Sequence, residues 1–131
     1  MKLFTVDEAN ALLPRIRMKL ELIKLHYETV GRLREPARAA AAASDRGGGM
    51  EGGTAYVQAL YDIGKLTVEI TDAGVQLKDY ERGLIDFPSM RGGRIVLLCW
   101  QLGEPDDIRW WHEVEDGFAG RQPLEEKDED E

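Results

Sequence analysis

The chain has 131 residues, of which 43% are hydrophobic and 32% charged, and it carries a net charge of −8. That length suits one domain able to bury its own core. The acidic balance argues against a duplex nucleic-acid binder, which needs a basic face to displace counterions. No apolar run approaches the ~20 residues that a membrane span requires. The single cysteine, Cys99, excludes an internal disulfide framework and any site built from several thiolates.

The first element has a marked start. Thr5-Val6-Asp7-Glu8 reads as a capping box, in which Thr5 accepts from the amide three residues on and Glu8 reaches back to the Thr5 amide. An N-terminus that enters an amphipathic pattern this early does not read as a secretory leader, so a cytoplasmic protein is expected. Asn10 is a second possible cap, and Pro14 fits only a first helical turn or a kink. The expectation is a short helix over about 6–12, a break or bend, and a long helix from Pro14. Leu13, Ile16, Leu20, Ile23, Tyr27 and Val30 then repeat at three–four spacing, with Leu12, Leu22, Leu25 and Leu33 widening the stripe.

Past Pro36 an alanine run leads into the glycine-rich stretch 45–53, read as the mobile tip of a helical hairpin. A second helix is expected from Thr54 to about Ala73, with Tyr56, Leu60, Ile63, Thr67 and Ile70 in register and Gly74 as its C-terminal stop. Two such helices bury only one side of their stripes. A homodimer through the long helices is therefore the economical completion.

After Gly74 the periodicity changes. Val75–Lys78 alternates, while Gly83–Pro88 and Arg94–Trp100 read as two strands joined by a hairpin loop over 89–93. Ile108–His112 is a further short strand, and 113–123 reads as irregular. The fold class expected is α+β: a long antiparallel helical hairpin (about 5–73) followed by a small antiparallel sheet (about 75–124), as a single domain over 1–124. Residues 125–131 hold six acids and one lysine and are expected to be a disordered, solubilising tail.

Several of these segments carry a resemblance. Phe4–Pro14, Gly74–Asp79, Gly83–Pro88, Leu98–Glu104, Trp111-His112 and Gly117–Pro123 match, in order, the signatures of an uncharacterised bacterial family catalogued as domain of unknown function 2203. The resemblance spans roughly residues 3–124. It implies no activity, cofactor or catalytic residue.

The polar residues of the C-terminal half support three readings. The first is a divalent metal site, zinc being one such ion, built from His112 and Asp116 with Asp86 and Asp79, and with Cys99 or Glu113 as further donors. Its plain counterpart is a hydrogen-bonded histidine beside Trp110 and Trp111. The second is a ligand pocket using Arg82, Trp100, Glu104, Trp111 and Arg121. Its counterpart is ordinary sheet core, with Asp86 simply facing solvent. The third, a Cys99 nucleophile, is disfavoured because Val96–Trp100 reads as a buried strand, where a free cysteine behaves as a small hydrophobe. The sequence thus leads to a non-enzymatic, self-associating interaction module that binds a protein partner or small ligand through its C-terminal half. A metal-dependent or small-molecule-binding enzyme centred on Asp79, Asp86, His112 and Arg121 is the alternative.

Overall fold

In a computed structural model, residues 1–43 and 53–125 are described. The glycine-rich connection and the acidic tail expected above lie outside them, apart from Gly53 and Glu125. The first helix, α1, runs from Val6 to Ala42. Its capping box is formed: the Glu8 amide donates to Thr5 Oγ1 at 3.0 Å, and the Thr5 amide donates to Glu8 Oε1 at 2.9 Å. The bond from the Thr5 amide first, and the Thr5 hydroxyl second, hold the Glu8 carboxyl below its usual range.

The break expected at Pro14 does not occur. Pro14 removes one helical N–H and is exposed on the helix surface. Ala9, Leu13, Ile16, Leu20 and Ile23 form one uninterrupted buried line on either side of it. Packing of that line outweighs the lost bond. Asn10, expected as a second cap, instead accepts from the Ile108 amide at 2.6 Å and ties α1 to the distant C-terminal half.

The second helix, α2, spans Gly53–Asp72. Lys19 pairs with Glu69 at 3.0 Å and His26 with Asp62 at 3.7 Å, so positions seven apart on α1 descend by seven on α2. That is an antiparallel pair. Gly74, with φ of +94°, ends α2 in a Schellman motif: its amide donates to the Thr71 carbonyl and the Val75 amide donates to the Ile70 carbonyl. The left-handed backbone turns the chain directly into the sheet.

Five strands follow, β1 (Gln76–Asp79), β2 (Leu84–Arg91), β3 (Arg94–Gln101), β4 (Trp110–Glu113) and β5 (Gln122–Pro123), in that spatial order and all antiparallel. A short 3-10 turn over Phe118–Gly120 precedes β5. The β2–β3 connection is tighter than expected. The strands continue to Arg91 and resume at Arg94, leaving Gly92-Gly93 alone in the turn, with φ of +56° and +77°. Two positive φ angles give the turn whose twist matches the flanking strands, which glycine adopts without a Cβ clash.

This tight turn sets the register. Asp86 lies opposite Cys99 and Cys99 opposite Trp110, while Leu97 lies opposite His112. Side chains therefore divide by parity. Ile85, Phe87, Val96, Leu98, Trp100 and Trp111 face the helices and join Leu13, Ile16, Leu20, Ile23 and Ile70 in one core. Phe4 meets Phe87 edge-on at 5.3 Å, and Trp100 Nε1 donates to the Pro105 carbonyl at 2.7 Å. Asp86, Cys99 and His112 point to the other side of the sheet. Among the described residues, no helix is long and apolar enough to cross a membrane.

Candidate functional site

The sheet face turned away from the helices is the one expected to meet water, yet its centre is buried. Asp86 is 2% exposed, His112 3% and Cys99 0%. The cover comes from the chain after β4, residues 114–121, which crosses back over this face before β5. Arg121 pins the crossing. Its guanidinium donates to Glu104 at 3.0 Å and 2.8 Å, lies 4.7 Å from the Trp110 ring and 4.0 Å from the Phe118 ring. Glu104 is itself held by the Gln101 amide at 2.8 Å, and Arg82 lies against Phe118 at 4.4 Å. An arginine held both by a carboxylate and by ring faces is fixed in orientation as well as in charge.

Beneath this strap, Asp86, Cys99 and His112 bring one oxygen, one sulfur and one nitrogen donor within 4.8 Å of one another. The hydrogen bonds of His112 determine what these groups require. Its Nδ1 lies 2.8 Å from the Glu113 carbonyl oxygen. A carbonyl can only accept, so Nδ1 carries a proton and donates. Its Nε2 lies 3.1 Å from Asp86 Oδ1. In the neutral ring this nitrogen holds a lone pair, and it faces a carboxylate. A cation, either a proton or a metal ion, has to lie between the two. A histidine whose second nitrogen donates to a backbone carbonyl is oriented as metal-ligating histidines are.

Cys99 differs from the other two donors. Burial first, and the Asp86 carboxylate second, push its thiol up to about 12, against a smaller pull from Arg121. A thiol so raised is a poor nucleophile at neutral pH. It remains a competent metal donor, because a coordinated thiol is deprotonated by the ion itself.

A cavity of about 180 Å³ opens beside the trio, with Asp86 and His112 in its wall and Lys78, Leu84, Leu97, Asp116 and Phe118 among its other lining residues. Larger clefts lie elsewhere, notably a groove between α1 and α2 of about 410 Å³. That groove carries Lys19–Glu69 and His26–Asp62, each already paired. The smaller cavity adjoins the Asp86–His112 pair.

Of the residues anticipated from the sequence, the structure brings together Asp86, His112, Arg121, Glu104 and Arg82 on the outer face, with Asp116 on the cavity wall. Asp86 does not face solvent, because the strap covers it. Asp79 stands apart: its Oδ1 accepts from the Arg82 amide at 2.9 Å and caps the turn between β1 and β2. Trp100 and Trp111 lie on the opposite face, inside the helix-packed core. Trp110, under the Arg121 guanidinium, and Lys78, on the cavity wall, also belong to the site. The pairing of Asp86 with Cys99 was readable in principle. A two-residue Gly92-Gly93 turn places them opposite one another, whereas the wider loop assumed over 89–93 moves the register.

The chain belongs to the family of uncharacterized conserved proteins designated DUF2203, whose profile matches residues 2–124. No curated protein and no solved structure matches it.

Proposed function

We propose that this chain is a divalent-metal-binding protein whose centre is Asp86, Cys99 and His112, and that zinc is the ion its donors suit best. The observation that carries the reading is the position of His112 Nε2, 3.1 Å from Asp86 Oδ1 while Nδ1 is committed to a carbonyl. The donor chemistry supports it. Mixed nitrogen, oxygen and sulfur sets suit zinc at bond lengths of about 2.0–2.3 Å, which place tetrahedral donors about 3.3–3.8 Å apart. The trio's donor atoms lie within 4.8 Å of one another, close to that spacing. Three protein donors with a fourth position free form the pattern of reactive rather than purely structural zinc centres. In such a centre the bound ion polarises a ligand or lowers the pKa of a water. The competing arrangement, a buried proton-bridged pair, is a weak source of stability because both groups give up hydration.

The test is elemental analysis of the full chain purified without added metal, followed by zinc titration of the metal-free protein. The expected result is one bound ion per chain. Cys99→Ala and His112→Ala, each confirmed as folded, lose affinity by more than the roughly 10–100-fold that removing an outer-shell partner costs. A wild-type chain that neither retains metal nor binds zinc overturns the proposal.

A second reading, self-association through the helices, is favoured by a separate observation. Met18, Leu22 and Leu25 on α1 and Val57, Leu60, Tyr61 and Val68 on α2 are each 45–65% exposed. An apolar surface of this kind on a helical pair suits a second helical pair. Sedimentation of the wild type against Leu22→Glu/Tyr61→Glu checks it: a wild type that sediments as a monomer at micromolar concentration removes this reading.

A further inference from the structure

Resting on the self-association reading, we infer that two copies of the chain join through their α2 helices, laid antiparallel about a twofold axis. Polarity on α2 is inverted. Its charged residues, Asp62, Lys65, Glu69 and Asp72, step by three and four and so share one stripe. That stripe borders the groove toward α1, where Glu69 pairs with Lys19 and Asp62 with His26. Val57, Tyr61, Gly64 and Val68 step by four, three and four along another stripe, with Leu60 beside it. All five are exposed, the four large side chains by 46–65%. On this helix only Ala59 and Ile70 are buried. A helix that turns its charges to a neighbour and an apolar stripe outward needs a second cover.

The exposed apolar stripe of α1, Met18, Leu22 and Leu25, is built differently. Arg15 and Lys19 flank it on one side, and Glu21 and Glu28 on the other. A helix laid on it would bury charge at both edges. On α2 the charges keep to one flank, while Leu60 and Thr67 occupy the other.

The spacing points to a second copy as the cover. Four, three, four reads the same from either end, so an antiparallel copy of the stripe meets it in register. Val57 of one copy then lies against Val68 of the other, with Tyr61 beside Gly64. At the usual separation of about 8–10 Å between helix axes, the contact runs through side chains and leaves room for a methyl at position 64. Charge fits the same register. Lys65 has no hydrogen bond or ion pair among the described residues. The antiparallel copy brings its own Asp62 within about two residues of the level of Lys65, and a twofold contact makes that pairing twice. Three acids against one lysine on the charged flank disfavour an anionic membrane surface as the cover.

The test is sedimentation of the full chain at micromolar concentration, with one substitution on each helix and folding followed by circular dichroism. The wild type is expected to be a dimer. Tyr61→Glu is expected to raise its dissociation constant by more than about 30-fold, and Leu22→Glu to leave it unchanged. Register is read by disulfide formation between variants that keep the buried Cys99. Val57→Cys mixed with Val68→Cys is expected to cross-link, and neither variant alone. A monomeric wild type overturns this inference and the self-association reading together. A dimer that survives Tyr61→Glu, or that Leu22→Glu weakens equally, overturns the assignment to α2 and leaves self-association standing. No cross-link in the mixture, or cross-linking of either variant with itself, overturns the antiparallel register.

Discussion

The two faces of the sheet are equally buried and chemically opposite. Toward the helices, Ile85, Phe87, Leu98, Trp100 and Trp111 fill a dry core in which any close-packed apolar set of the same volume would serve. Away from them, Asp86, Cys99 and His112 are covered by a strap of eight residues that ends in Arg121. There identity matters atom by atom, since each polar group needs a partner of the right kind. The same strands supply both faces through alternation, so a one-residue slip of β3 against β2 would exchange them. The Gly92-Gly93 turn prevents that slip, and it thereby protects the core and the site together.

Four substitutions can break or sharpen this contrast. The largest effect is expected on the inner face, where Trp100→Ala should cost about 3–5 kcal/mol in denaturant unfolding. A cost below about 1 kcal/mol would show that the helices do not depend on this face. Next comes the strap. Arg121→Ala removes a largely buried, charge-assisted bond to Glu104 and the ring contacts, at a cost of about 2 kcal/mol. Its sharper readout is chemical: at pH 8 native Cys99 should resist iodoacetamide, and opening the strap should make it alkylate faster. Equal rates in both proteins would show that the strap is not what seals the outer face.

A smaller effect tests how α1 is seated. Thr5 stands between Phe4 and Val6, both in the inner core, and Thr5→Ala should cost about 1 kcal/mol at pH 7. The pH dependence has a definite sign. The Glu8 carboxyl is held below its ordinary value in the folded chain, so its share of stability is present above about pH 4.5 and is lost as pH falls through the folded value. The gap between wild type and Thr5→Ala should therefore shrink in acid; a gap constant from pH 7 to pH 3 would detach Glu8 from the cap.

The smallest change concerns a surface that packs against neither face. Gly64 lies inside α2 with nothing within 4 Å of where a Cβ would sit. Gly64→Ala should stabilise the chain by up to about 1 kcal/mol in thermal or denaturant unfolding. Destabilisation instead, growing with protein concentration, would mean that another helix approaches closely at this point.

Much of the architecture was legible in the residues. The capping box at Thr5, the stop at Gly74, both long amphipathic stripes and the two central strands follow from local chemistry, because capping, helical periodicity and strand alternation involve neighbours in sequence. The break at Pro14 was misjudged for a reason that is not local. The energy holding α1 continuous comes from Leu13, Ile16 and Leu20 meeting the sheet some seventy residues later in the chain, together with the bond that the Ile108 amide donates to Asn10. The site divides in the same way. That Asp86, His112, Glu104 and Arg121 were worth attention follows from their being polar groups set among strands and aromatics. That Asp86 is covered rather than solvated, that Trp100 and Trp111 belong to the core, and that Cys99 stands with His112 were decided only by the tertiary structure. Register is set by one turn, and burial of the outer face by a strap from outside the three strands that hold the trio. Neither quantity resides in the residues it controls.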